Sequence, residues 1–130
     1  MSDQRTNDVG VRLLVETSRW PAAWQGDAND IPVGRVLVRA MLPFLRGLVA
    51  SGAAESTLRR HFGNAWVLGG HLVRELSLDP AMRRTAARDL LLEQVGEEGG
   101  PLVSGFSTEE EQRSFDSTCR QLSRFLRRRR

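Results

Sequence analysis

Leu58, Phe62, Ala65, Gly69, Leu72 and Leu76 recur at steps of four, three, four, three and four. On an α-helix those steps put all six on one stripe, so residues from Glu55 to Leu76 read as one long amphipathic helix. A sustained apolar seam of this kind packs a helical bundle. Gly69 and Gly70 fall inside it. A mid-helix glycine costs about 1 kcal/mol against alanine, so two in a row suggest a purpose. Gly69 lies on the seam itself, and close approach of another helix backbone is the expected reason.

The neighbouring segments supply helices for that seam. Val33, Val36, Leu37, Ala40, Met41, Phe44, Leu45 and Leu48 form a broad apolar face over residues 31–51, with Arg35, Arg39 and Arg46 on the other side. Pro43 cannot donate to the carbonyl of Arg39, which predicts a kink or restart there. Asp79-Pro80 reads as an N-cap with proline at the first helical position, opening a helix that runs through Leu90 and Leu91 to Val95. Gly96 stops it, Glu97 to Pro101 form a turn-rich connection, and Leu102-Val103 are extended. Ser107 with Glu110 reads as a capping box for a last helix that buries Phe115, Cys119, Leu122 and Leu126.

The first thirty residues lack such a pattern. Val9, Val11, Leu13 and Val15 alternate as in a short strand, although Leu14 blurs the period. Trp20 and Trp24 can share a face, and residues 25–30 are loop-like. The expected fold is therefore all-α: a small four- to five-helix bundle over residues 31–126, an irregular N-terminal arm over 1–30 packed through its tryptophans, and a basic tail over 127–130. One domain suits a chain of 130 residues. No apolar run approaches a membrane span. The polar start, Met1 to Arg5, leads into no secretory core, so a cytoplasmic location is expected.

Charge provides the main functional clue. All 19 basic residues are arginine, each a planar fork suited to phosphate or carboxylate. From Arg113 onward the chain holds seven arginines and one aspartate. Arg113, Arg120, Arg124 and Arg127 fall within a narrow stripe of the last helix, opposite its apolar side. A second candidate surface lies on the seam helix, where Arg60, Asn64, Val67, His71 and Arg74 line up away from the seam with Arg59 at the flank. Arginine, asparagine and histidine all reach phosphates or base edges. Each stripe also reads as an ordinary solvated helix face. Val67 in the second stripe suggests that the arm or a partner covers it.

Catalytic and metal chemistry find no residues to rest on. His61 and His71 are ten apart, whereas zinc-binding helices space histidines by four. Cys119 is the only cysteine and lies on an apolar stripe, so neither a disulfide nor a metal framework is expected. Glu109 to Glu111 have the ordinary duties of a helix start, and no glycine-rich phosphate loop precedes a Lys-Ser/Thr pair. Trp20, Trp24 and Trp66 read as core or docking residues rather than a base-stacking platform. No enzyme, metal or cofactor is expected.

Gly52-Ala53-Ala54-Glu55-Ser56-Thr57-Leu58-Arg59-Arg60-His61 resembles the Gly-Leu-Ser-x-x-Thr-Leu/Ile-Arg-x-Tyr/His signature of the core-binding domain of phage-integrase-type tyrosine recombinases. The likeness covers Leu42 to Leu76. It implies a small DNA-clamping bundle of mobile-element origin, with DNA contact through Arg59, Arg60 and Asn64. Ala54 stands where that family has a capping serine. The chain has no tyrosine, so it cannot supply the family's nucleophile. Trp66 to Leu72, Asp79-Pro80 and residues 99–102 are also similar to small bacterial proteins of no assigned activity, which implies none here. Two functions are therefore expected as alternatives: a non-catalytic DNA-associated accessory protein, or an adaptor or inhibitor binding an acidic protein through the same basic faces.

Overall fold

A computed structural model of the chain describes residues 4–78, 85–103 and 105–128. The chain is a small all-α bundle. Its elements are α1 (Gln4–Glu16), a single 3-10 turn (Thr17–Arg19), α2 (Trp20–Trp24), α3 (Asp30–Ala50), α4 (Glu55–Leu78), α5 (Ala87–Gln94) and α6 (Glu109–Arg128).

The α4 seam lies in the core as its spacing requires. Leu58, Phe62, Ala65, Leu72 and Leu76 are each at most 3% exposed, and Gly69 is buried with them. Leu37, Met41, Phe44 and Leu45 of α3 and Phe115, Cys119, Leu122 and Leu126 of α6 close the same core. Helix α3 runs through Pro43 and ends at Gly52, whose φ of +76° is an αL stop that glycine adopts at no steric cost.

The expected helix–helix backbone contact at Gly69 is not what the structure contains. The indole of Trp24 lies over Gly69 and Gly70, and a Cβ at Gly69 would fall on its six-membered ring. Trp24 Nε1 donates to the carbonyl of Trp66 at 3.0 Å, which fixes the ring there. Trp20 packs beside it, tilted 5.8 Å from Trp24 and edge-on 6.4 Å from Phe62, ring centre to ring centre. The two glycines thus make the socket through which the arm docks.

The arm is a broken helical run. The alternation of Val9, Val11, Leu13 and Val15 does not make a strand. These residues lie in α1, where Val9, Gly10, Leu13 and Leu14 form the inner face, continued by Thr17 of the 3-10 turn, while Val11 and Val15 stay exposed. Close packing of Gly10 against Val49 of α3 favours this arrangement, since a Cβ at Gly10 would come 2.7 Å from a Val49 methyl. Buried Asp30 anchors the loop after α2, with Oδ2 accepting from the amides of Gly26 and Asp27 at 2.7 and 3.1 Å.

Two helix starts differ from expectation. Asp79-Pro80 lies outside the described residues. Within them, Thr85 and Ala86 are not helical, and α5 begins only at Ala87. For α6 the N-cap is Thr108, not Ser107. Thr108 Oγ1 accepts from the Glu111 amide at 3.1 Å, and the Glu111 carboxylate accepts from the Ser107 amide at 3.1 Å. The cap has moved one residue, and the Glu111 carboxylate reaches the residue before it, taking both the Ser107 amide and hydroxyl. At the other end, Arg127 and Arg128 continue α6, and Arg88 donates to the carbonyl of Leu126 at 2.9 Å.

Candidate nucleic-acid interface

Helix α6 meets α4 along a polar edge. Asn64 Nδ2 lies 2.8 Å from Thr118 Oγ1, 3.1 Å from the Ser114 carbonyl and 3.2 Å from Ser114 Oγ. His61 Nδ1 is 2.9 Å from Thr118 Oγ1, and Arg60 Nη2 is 3.4 Å from His61 Nε2. Arg60 can only donate, so Nε2 accepts and Nδ1 carries the hydrogen given to Thr118. Thr118 Oγ1 then accepts twice and donates to the Ser114 carbonyl at 3.4 Å. Burial first, and the Arg60 charge second, lower the His61 pKa from 6.5 to about 4. The ring is neutral at physiological pH, and Phe44 packs edge-on against it at 6.2 Å.

This edge breaks up the basic stripe expected on α4. Asn64 is half-buried, and its Nδ2 is committed to Ser114 and Thr118 of α6. His71 is largely buried and pairs with Glu75 at 3.7 Å. Val67 is partly buried against the core and lines an open cleft beside α2. Arg59 is exposed but bonded to Glu55 at 3.2 Å. Arg60 and Arg74 remain exposed.

The α6 stripe is better preserved. Arg113, Arg124 and Arg127 are exposed and Arg120 is half-buried. Among the described residues, Arg113, Arg120 and Arg127 have no carboxylate at ion-pair distance. Arg127 bonds Ser123 Oγ at 3.1 Å. Arg124 is different, because its Nε and Nη2 donate to both oxygens of Glu97 at 3.2 and 2.9 Å. That bond holds the Glu97 carboxyl below the ordinary carboxylate range and raises Arg124. Glu97 is placed there by the turn that follows α5, where Gly96 and Gly99 exchange backbone hydrogen bonds. Gly99, at φ +120°, packs on Asp116, and the Gly100 amide donates to Asp116 Oδ1 at 3.0 Å. The turn is thereby clamped to α6.

The two basic surfaces do not merge. Ser114 and Thr118 mark the α6 edge that meets α4, and the arginine stripe is centred about 130° around the helix from it. A third set was missed as a site. Arg35, Arg39 and Arg46 are all exposed on α3 without a carboxylate partner among the described residues. Their spacing of four and seven was the available signal. Between α3 and α6 runs a groove with Phe44, Leu48 and Phe125 along it and Arg124 and Arg128 at its edge.

Cys119 is buried, and its thiol is pushed up to about 12, chiefly by burial and then by Asp116. Among the described residues, no group of three or more His, Cys, Asp or Glu is placed to hold a metal, and no helix is long and apolar enough to cross a membrane. Compared with protein-family models, curated proteins and solved structures, the chain has no match.

Proposed function

We propose that the chain is a non-catalytic DNA-associated accessory protein that contacts phosphates through the arginine face of α6. The observation that carries this reading is the run Arg113, Arg120 and Arg127, presented along one helix edge with no carboxylate at ion-pair distance among the described residues, although Arg120 and Arg127 lie near enough to Glu97 to help hold its carboxyl low. Guanidiniums in a row bind a polyanion by releasing its counterions. The recombinase-like entry of α4, over residues 42–76, supports the same reading and suggests a mobile-element origin. The inward turn of Asn64 takes it out of the contact set, leaving Arg60 and Arg74 as a separate, weaker surface.

Fluorescence anisotropy with a labelled duplex tests the proposal. Arg113→Ala/Arg120→Ala/Arg127→Ala should weaken binding at low salt by at least about tenfold while leaving helicity unchanged. Glu97→Gln should tighten binding, because it frees Arg124 and removes a negative charge from the face. Binding that ignores both changes would refute the α6 assignment.

A second reading, an adaptor or inhibitor for an acidic protein, is favoured by the groove between α3 and α6. Its apolar Phe44, Leu48 and Phe125, bordered by Arg124 and Arg128, suit an acidic amphipathic segment better than a phosphate backbone. A stoichiometric complex that survives nuclease, together with no affinity for any nucleic acid at low salt, would establish it over the first.

A further inference from the structure

We propose that the cleft between α2, α4 and the chain at Val103, Gly105 and Phe106 binds a small molecule that joins an aromatic body to a carboxylate. The cleft holds about 480 Å³, within the range of small-molecule sites. Trp24, Trp66 and Phe106 contribute rings, Val67 adds an apolar wall, and Arg74 is the only charged residue lining it among the described residues. Trp66 is 43% exposed, so one ring stands open at the rim. Trp24 has already given its indole N–H to the Trp66 carbonyl, and presents ring surface rather than a donor. Trp24 is 8% exposed and packs closely on Gly70, so it forms the floor of the cleft and Trp66 supplies the open ring.

The charge at this site is single. Arg74 is exposed and has no carboxylate partner among the described residues. One guanidinium matches one carboxylate, bidentate and planar. A polyanion fits poorly, because the neighbouring cleft on the other side of Phe106 is lined by Glu110 and Glu111. Spacing gives the size. Trp66 and Arg74 are eight residues apart on α4, about 12 Å along the axis, and the arginine side chain covers part of that distance. The remainder accommodates a one- or two-ring body stacked on Trp66 with its acid group turned to Arg74. This site shares no residue with the α6 arginine face, and it takes Arg74 from the weaker α4 surface of the nucleic-acid reading.

Titration of ¹⁵N-labelled protein with indole-3-acetate, and in parallel with its neutral amide, tests the site. The three tryptophan indole N–H signals are the readout. Saturable shifts of the Trp24 and Trp66 signals are expected with the acid, and at least about tenfold weaker binding with the amide, as for loss of a charge-assisted pair. Arg74→Gln should weaken the acid by about tenfold and leave the amide unchanged. Trp66→Ala should weaken both while keeping the Trp24 signal in place, because its acceptor is a backbone carbonyl. Equal binding of acid and amide, acid binding undiminished by Arg74→Gln, or no saturable shift with the acid would each overturn the proposal.

Discussion

Replacing Gly69 with alanine sets two effects against each other on α4. Alanine recovers about 1 kcal/mol of helix propensity. Its methyl would occupy the space of the Trp24 ring, which is 8% exposed and tied to the Trp66 carbonyl at 3.0 Å. Forcing a methyl into a packed site costs about 1–3 kcal/mol, and expelling a tryptophan costs about 3–5 kcal/mol. Loss of the indole hydrogen bond adds about 1 kcal/mol. The net expectation is a destabilisation of about 1–3 kcal/mol, or a Tm lower by about 4–12 °C. Gly63 is the internal control, because a Cβ there meets nothing within 4 Å. Gly63→Ala should raise Tm by about 4 °C through propensity alone. Circular dichroism melts of both variants provide the assay. In a Trp24→Ala background the Gly69→Ala effect should change sign, since the obstacle has gone. A Gly69→Ala protein at least as stable as the parent would refute the socket.

Other consequences follow from the same contacts. Thr108→Ala should cost about 1 kcal/mol in urea unfolding, and Ser107→Ala clearly less, because Thr108 supplies the cap. His61 is neutral and buried with its pKa at about 4, against 6.5 when unfolded. Its stability contribution is therefore complete above pH 6.5. It declines as the unfolded chain takes up the proton, by up to about 3 kcal/mol at pH 4, and levels off below. Urea midpoints measured across that range should show the fall, and His61→Gln should flatten it. Cys119 should resist a thiol reagent at pH 8 in the folded state and react at once in denaturant, since it is buried with its pKa raised to about 12.

How much could be read beforehand depended on whether the signal was local. Leu58 to Leu76 and Phe115 to Leu126 each repeat along one helix, so their inner faces were plain from spacing. Asn64 was not, because α6 meets it with Ser114 and Thr118. An interface lined by polar side chains leaves no apolar period to detect. The Trp24–Gly69 pair spans 45 residues of sequence, and nothing near either residue announces the other. Two glycines on a seam signalled close approach, but not whether backbone or an indole would fill it. The α6 cap was ambiguous for a simpler reason. Three consecutive glutamates let both Ser107 and Thr108 satisfy the same motif. For Val9 to Val15 the β-branched alternation imitated a strand, and it was Gly10 against Val49 that gave it away as a helix.

The charge on the α6 face bears most directly on function, and salt dependence measures it. Each phosphate neutralised by an arginine contributes about −0.9 to the slope of log K against log salt for duplex DNA. Binding through Arg113, Arg120 and Arg127 predicts that their joint replacement by alanine reduces the slope by about 3. An unchanged slope in that variant, or no binding by the parent protein even at low salt, would contradict the assignment of this face to DNA.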